Sequence, residues 1–176
     1  MNPTNQWRWQ LCKHSSSLIL DMSDEMAFLT PYQSCQLTNE IHVDDSFNVE
    51  DANYFTYLQD TLLNLNLWSR AFCTQTALNA TAVKRFYKPV MPKSWHFKVN
   101  NQQRRAIPLL VALYSDFAFS TCIVLEASTN FVMLLIVEDQ FQVSDTKSLK
   151  QFDVIKVSID RIYDIQLTPS VSKQSA

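Results

Sequence analysis

The sequence predicts an α+β fold in two domains, with mixed strands and helices over residues 1–90, an all-β domain over 91–168 and a flexible tail over 169–176. Three observations lead there. Two capped stretches in the first half carry apolar residues at helical spacing. From residue 95 onward the pattern changes to short runs of branched and aromatic residues. The two regimes meet at Pro89 and Pro92, where proline biases the preceding residue away from helical angles and makes the join stiff and extended.

The elements follow in order. Residues 7–10 and 17–22 read as short strands around a turn at 13–16, and Leu18-Ile19-Leu20 suggests burial on both faces. Asn48 caps a helix with Glu50 and Asp51 in its first turn, followed by Tyr54, Phe55, Leu58, Leu62 and Leu65 at helical spacing. Ser69 caps a second helix running to about Tyr87, with Ala71, Leu78, Ala82 and Phe86 on one stripe and Lys84 and Arg85 near the end where cations suit the dipole. Pro89 stops it. Residues 95–99, 107–114, 119–126, 131–137, 152–159 and 162–167 then read as strands, at a spacing typical of a small sandwich or barrel. In the first of these, parity puts Trp95 and Phe97 together in the core, with His96 on the other face.

Composition excludes several functions. The chain has 176 residues, 47% of them apolar and 18% charged, which describes a folded domain or two and not a disordered chain. It contains no glycine. A P-loop, a dinucleotide fingerprint, a nucleophile elbow, an EF-hand loop and a KH-type loop all need glycine for positive φ or close backbone approach, so none is present in its usual form. Turns are expected to rely on Asn and Asp, as at Asn100-Asn101, Asn130 and Asp139. The apolar runs at 107–114 and 131–137 fall short of the roughly 20 residues that cross a bilayer. The N-terminus lacks a basic-then-apolar leader, so the expected compartment is the cytoplasm. Cys12, Cys35, Cys73 and Cys122 lie far apart with no CxxC pair, which suits reduced thiols.

Charge is segregated. Residues 61–115 hold eight cations, Arg70, Lys84, Arg85, Lys88, Lys93, Lys98, Arg104 and Arg105, and no acidic residue, whereas residues 1–60 carry net −7 and residues 116–176 net −3. The overall charge of −2 conceals this field. A basic surface on an otherwise acidic protein suits docking onto an anionic partner, although a merely solvated cationic face has the same composition.

At the centre of that window stands Lys88-Pro89-Val90-Met91-Pro92-Lys93-Ser94-Trp95-His96-Phe97, which resembles the hallmark hinge of the cell-division protein ZapC family. Trp7-Arg8-Trp9 is similar to that family's N-terminal aromatic motif, Leu20-Asp21 to the strand after it, Val43-Asp44-Asp45 to the approach to its first helix, and Asp153-Val154-Ile155-Lys156 with Asp160-Arg161 to its C-terminal strand. The resemblance implies an N-terminal α/β domain followed by a β-barrel-like domain. It also implies a cytoplasmic, non-enzymatic protein of the mid-cell division ring that binds FtsZ, the tubulin-like GTPase of the ring. Members promote lateral association of FtsZ filaments and lower their GTPase activity. No cofactor, metal, small-molecule substrate, membrane or nucleic acid is implied.

By the same resemblance Lys88 and Lys93 align with basic hinge positions and lead the expected FtsZ contacts. Lys156 alternates with Ile155 and Val157 and is a plausible second contact. Arg85 and Arg161 complete the expected basic surface, but parity groups Arg161 with Tyr163, Ile165 and Leu167 unless a turn at Asp160 resets the register. Trp7, Trp9, Leu18 and Leu20 admit two readings, an apolar groove for a partner side chain or plain core packing. Arg8 between two tryptophans suggests a cation-π clamp, but alternation points it away from both rings. The rival function is a single-stranded nucleic-acid-binding module using the basic window and its tryptophans; the net acidity and the lack of an RNP motif weigh against it. For an enzyme, Cys12 with His14, or Cys73 with His96 or His42, are the available thiol–imidazole pairs, and none comes with a recognisable substrate site.

Overall fold

The computed structural model describes residues 2–23, 26–38, 45–102 and 106–165, and the chain divides into two units, Met1–Met91 and Pro92–Ala176. His42, Val43, Asp44, Arg104, Arg105, the end of the strand expected over 162–167 and the tail over 169–176 lie outside the described residues. The fold class is α+β.

In the first unit, alternation builds an antiparallel sheet. Strand β1 (Arg8–Leu11) pairs with β2 (Ser17–Asp21) and sets Trp9 opposite Leu20 on the buried face. Strand β3 (Ala27–Gln33) and the two-residue β4 (Asp45–Ser46) complete the order β3-β2-β1-β4. Neither was expected. β3 contains Pro31 and lies at the sheet edge, where a residue without an N–H is tolerated.

Both helices begin where the sequence places their caps. In α1 (Val49–Asn64) the Asn48 side chain accepts from the Asp51 backbone N–H at 2.9 Å, and the Asp51 carboxylate accepts from the Asn48 N–H at 3.1 Å. Helix α2 (Arg70–Phe86) starts with Ser69 Oγ accepting from Phe72 N–H at 3.2 Å. From Thr76 to Val83 every residue of α2 is buried, and Ala77, Ala80 and Ala82 leave room for neighbours on all sides. Of the expected apolar stripe, Leu78, Ala82 and Phe86 are buried and Ala71 is exposed.

The second unit is strand-rich, as expected, but the sheet does not close. Strands β5 (Leu110–Tyr114), β6 (Phe119–Ala127), β7 (Phe131–Ile136), β10 (Val154–Ser158) and β11 (Ile162–Asp164) form one antiparallel sheet in the order β10-β7-β6-β5-β11. Among the described residues β10 and β11 remain its edges. A separate hairpin, β8 (Gln140–Ser144) with β9 (Lys147–Lys150), sends Phe141, Val143 and Leu149 into the same core as Val111, Leu113, Leu134 and Ile155 of the sheet. The alternation of Phe141 and Val143 with Gln and Ser was a legible strand pattern, passed over because the strands were read from runs of branched and aromatic residues, which this hairpin lacks.

The strand expected over 95–99 is absent. Ser94–His96 forms a single 3-10 turn closed by Phe97 N–H to Ser94 O at 3.1 Å. At about 120° per residue, positions two apart do not share a face of such a turn. Phe97 is accordingly buried while Trp95 is 71% exposed, which overturns the expected burial of Trp95. Left-handed backbone angles also fall elsewhere than expected: Ser16, Ser23, Asn66 and Phe152 have φ between 54° and 69°, and Asn100, Asn101, Asn130 and Asp139 do not. Without glycine, each such residue carries a steric cost of about 1–2 kcal/mol that its surroundings must offset.

The first unit is tied together at Asp51. Its buried carboxylate accepts from the Trp9 indole at 3.2 Å, from the Asn48 N–H and from the Arg85 guanidinium, which also donates to Ser46 O at 2.8 Å and pairs with Asp45 at 3.5 Å. One carboxylate thereby joins β1, the start of α1 and the end of α2. Replacement by alanine strands the indole and the guanidinium, so Asp51→Ala should lower unfolding free energy by about 2–4 kcal/mol in urea titration. A loss under about 0.5 kcal/mol, the range of an ordinary surface substitution, would contradict this role.

Candidate functional site

The expected cations separate into those used by the fold and those left to solvent. Arg85, expected at the partner surface, is only 22% exposed and is held by Asp51, Asp45 and Ser46. Arg161 lies in a 3-10 turn, Ile159–Arg161, that resets the strand register; its Nη1 donates to Phe97 O at 3.0 Å and its Nε lies 3.3 Å from Asp160. Both guanidiniums therefore hold neighbouring backbone in place. Lys88 is exposed, with Nζ donating to Cys35 O at 2.8 Å and its own N–H donating to Gln36 O at 2.9 Å.

In the second unit Lys93 is exposed and its N–H donates to Lys156 O at 2.9 Å. Lys156 is half-buried between the buried Ile155 and Val157, as alternation predicts, with its ammonium 5.5 Å from the centre of the Phe131 ring. Among the described residues, none of Lys93, Lys147 and Lys156 forms a salt bridge with a carboxylate. Lys98 has one, an exposed pair with Asp116 at 3.7 Å.

The residues expected to form an apolar groove do not form one. Trp7, Trp9 and Leu20 are 4%, 0% and 0% exposed, and Leu18 is also fully buried. Trp7 packs edge-on against Phe47 and Phe55, and Trp9 against Phe86, the arrangement that sets the positive edge of one ring against the negative face of another. Arg8 is exposed on the other face, as alternation required. An apolar hollow of about 430 Å³ lies elsewhere in this unit, between Met22, Ala27 and Phe28 on one side and Ala71, Thr74 and Leu78 of α2 on the other. A second, polar cleft of about 560 Å³ lies between α1 and α2, where Lys84 Nζ sits 4.1 Å above the Tyr54 ring and burial pushes the Tyr54 phenol up to about 12.

Burial raises Cys122 and Cys73, while hydrogen bonds from Ser15 and the backbone around His14 lower the half-buried Cys12 thiol. Among the described residues no three His, Cys, Asp or Glu side chains gather to hold a metal, and no helix is long and apolar enough to cross a membrane.

Sequence reasoning missed the exposed aromatic. The Trp95 ring stacks obliquely on His96 at 5.5 Å, His96 meets Phe97 edge-on at 6.2 Å, and Phe97 stacks on Phe141 at 5.9 Å. The column runs from the core to a tryptophan in water. Pro92 and Ser94, a proline and a hydroxyl residue just ahead of the aromatics, were the available turn signal.

Known proteins resemble this chain over most of its length. The family model described as Cell-division protein ZapC, N-terminal, matches residues 1–88, and that described as Cell-division protein ZapC, C-terminal, matches residues 89–168. The chain is 31% identical over 165 residues to a protein named Cell division protein ZapC from Pseudoalteromonas translucida, covering 94% of each chain. It is 34% identical over 165 residues to the one from Aeromonas hydrophila, covering 92% of this chain and 91% of the relative. It is 34% identical over 164 residues to the one from Vibrio vulnificus, covering 92% and 91%.

The lysines beside the aromatic column should be readable by titration. Desolvation first, then the charges of Lys147 and Lys93, hold His96 below its ordinary value. A base whose folded value is lowered disfavours protonation in the fold, so its contribution to stability is present above the unfolded value and declines on acidification. An NMR titration should place the His96 midpoint below 6.5, and Lys147→Gln should move it upward. A wild-type midpoint at or above 6.5 would contradict the cationic surroundings.

Proposed function

The chain belongs to the ZapC family of cell-division proteins, and from that premise we propose that it binds FtsZ directly in the mid-cell division ring, bundles FtsZ filaments and lowers their GTPase activity. Its family membership supports a role in division. The finer reading is supported above all by the exposed lysines of the hinge segment, Lys88 and Lys93, inside a stretch of 55 residues without a carboxylate.

The physics is electrostatic docking. FtsZ filaments are acidic and repel one another side by side, and a protein that offers cations to two of them lowers that repulsion. Lateral contacts then favour the assembled polymer, and slower subunit turnover means slower GTP hydrolysis. The protein acts here by binding, with no bond made or broken on it. Lys88 and Lys93 each adjoin a proline, so part of the ordering cost of the segment is already met by backbone stiffness. Lys156 adds a third contact from β10.

The test is charge reversal. Lys88→Glu combined with Lys93→Glu should stay folded, with melting lowered only by loss of the exposed bond from Lys88 Nζ to Cys35 O, about 0.5–1.5 kcal/mol. Co-sedimentation with GTP-assembled FtsZ should weaken by about 100-fold or more, since like charges brought together at an interface cost several kcal/mol. A folded double variant that pellets and bundles like wild type would overturn the electrostatic reading.

A further inference from the structure

Trp95 is the largest side chain the second unit leaves in water, and nothing in its surroundings leaves it loose. Its turn is pinned on two sides. Ser94 Oγ lies 2.9 Å from Ser158 Oγ and accepts the Ser158 N–H at 2.8 Å, while Lys93 N–H donates to Lys156 O and Arg161 holds Phe97 O. Beneath the indole, His96, Phe97 and Phe141 form a column of rings ending in the core. Around it the charge is positive: Lys93 precedes it by two residues, and Lys147 and Lys93 both act on the adjacent His96; Lys156 joins the turn through its backbone carbonyl, with its ammonium 5.5 Å from the Phe131 ring. Exposing an indole is unfavourable in the isolated protein, and ordering it in advance removes an entropic cost of binding.

Resting on the FtsZ reading above, we infer that Trp95 is the apolar anchor of that contact: its indole fills a small apolar pocket on an acidic protein surface while Lys93, Lys147 and Lys156 meet the carboxylates around it. Tryptophan ringed by polar groups that exclude water is the common composition of an interface hot spot. Charge complementarity selects an acidic occupant, because these three lysines lack carboxylate partners among the described residues. A single-stranded nucleic acid fits less well. Strand binding uses a series of rings for successive bases, and here the rings in contact with Trp95 lead inward to Phe141, while the exposed Phe117 and Phe119 lie at the turn between β5 and β6.

The experiment compares wild type, Trp95→Ala and Trp95→Phe, each as the full chain, for melting, for co-sedimentation with GTP-assembled FtsZ and for anisotropy of a fluorescent oligo-dT. Iodide quenching of wild type, with Trp95→Phe subtracted, reports Trp95 alone even if the alanine variant proves unstable. Expected are unchanged melting, about tenfold or greater loss of FtsZ binding in Trp95→Ala with a smaller loss in Trp95→Phe, and Trp95 quenched when free but protected by FtsZ. If wild type pellets with FtsZ while Trp95 stays open to iodide and Trp95→Ala binds normally, the anchor is refuted and the FtsZ reading stands. If wild type does not pellet, both fall. Trp95-dependent binding of oligo-dT without FtsZ binding would assign the surface to nucleic acid and overturn the inference.

Discussion

The carboxylate of Asp51 is the point on which the first unit depends. A buried negative charge is tolerated only when donors surround it, and this one is met by an indole, a backbone N–H and a guanidinium drawn from three elements. The arrangement requires Trp9 to face inward, requires the start of α1 to meet the end of α2, and withdraws Arg85 from the solvent. Its functional consequence is one of selection. Eight cations crowd the acid-free part of the sequence, yet the fold uses Arg85 as internal glue and leaves Lys88 exposed, with a single bond from its ammonium to Cys35 O.

The second unit repeats that selection with different chemistry. Arg161, with its planar fork, holds a backbone carbonyl of the aromatic segment, whereas Lys93 and Lys147 remain without carboxylate partners among the described residues. In both units the arginine expected at the partner surface serves the fold and the lysines face outward. Hydration explains the division: guanidinium is weakly hydrated and suited to fixed, partly buried bonds, while ammonium on a flexible stem stays in water and is available to an acidic surface.

Much of this was legible in the sequence where a local rule applied. Asn48 and Ser69 mark their helices because a side-chain oxygen there satisfies an N–H that the helix cannot. Lys156 was placed correctly by alternation alone. What failed was decided by distant partners. β3 tolerates Pro31 because it is an edge. The β8–β9 hairpin is the exception, a legible alternation passed over for want of a run of branched residues. Trp95 was misplaced because the bonds from Ser94 to Ser158 that turn the chain there span 64 residues. Trp7, Trp9 and Leu20 could have been groove or core by pattern, and only the packing of Phe47, Phe55 and Phe86 against the two tryptophans decides for core.

In the proposed contact the hinge segment and strand β10, and not the clefts of the helical unit, meet the acidic filament. Hydrogen–deuterium exchange of the full chain, alone and with GTP-assembled FtsZ, tests it without altering a residue. Slowed exchange is expected to be confined to the backbone around Lys88, the turn Ser94–His96 and strand β10. Slowed exchange at the cleft around Tyr54 and Lys84, with the hinge segment unchanged, would contradict it.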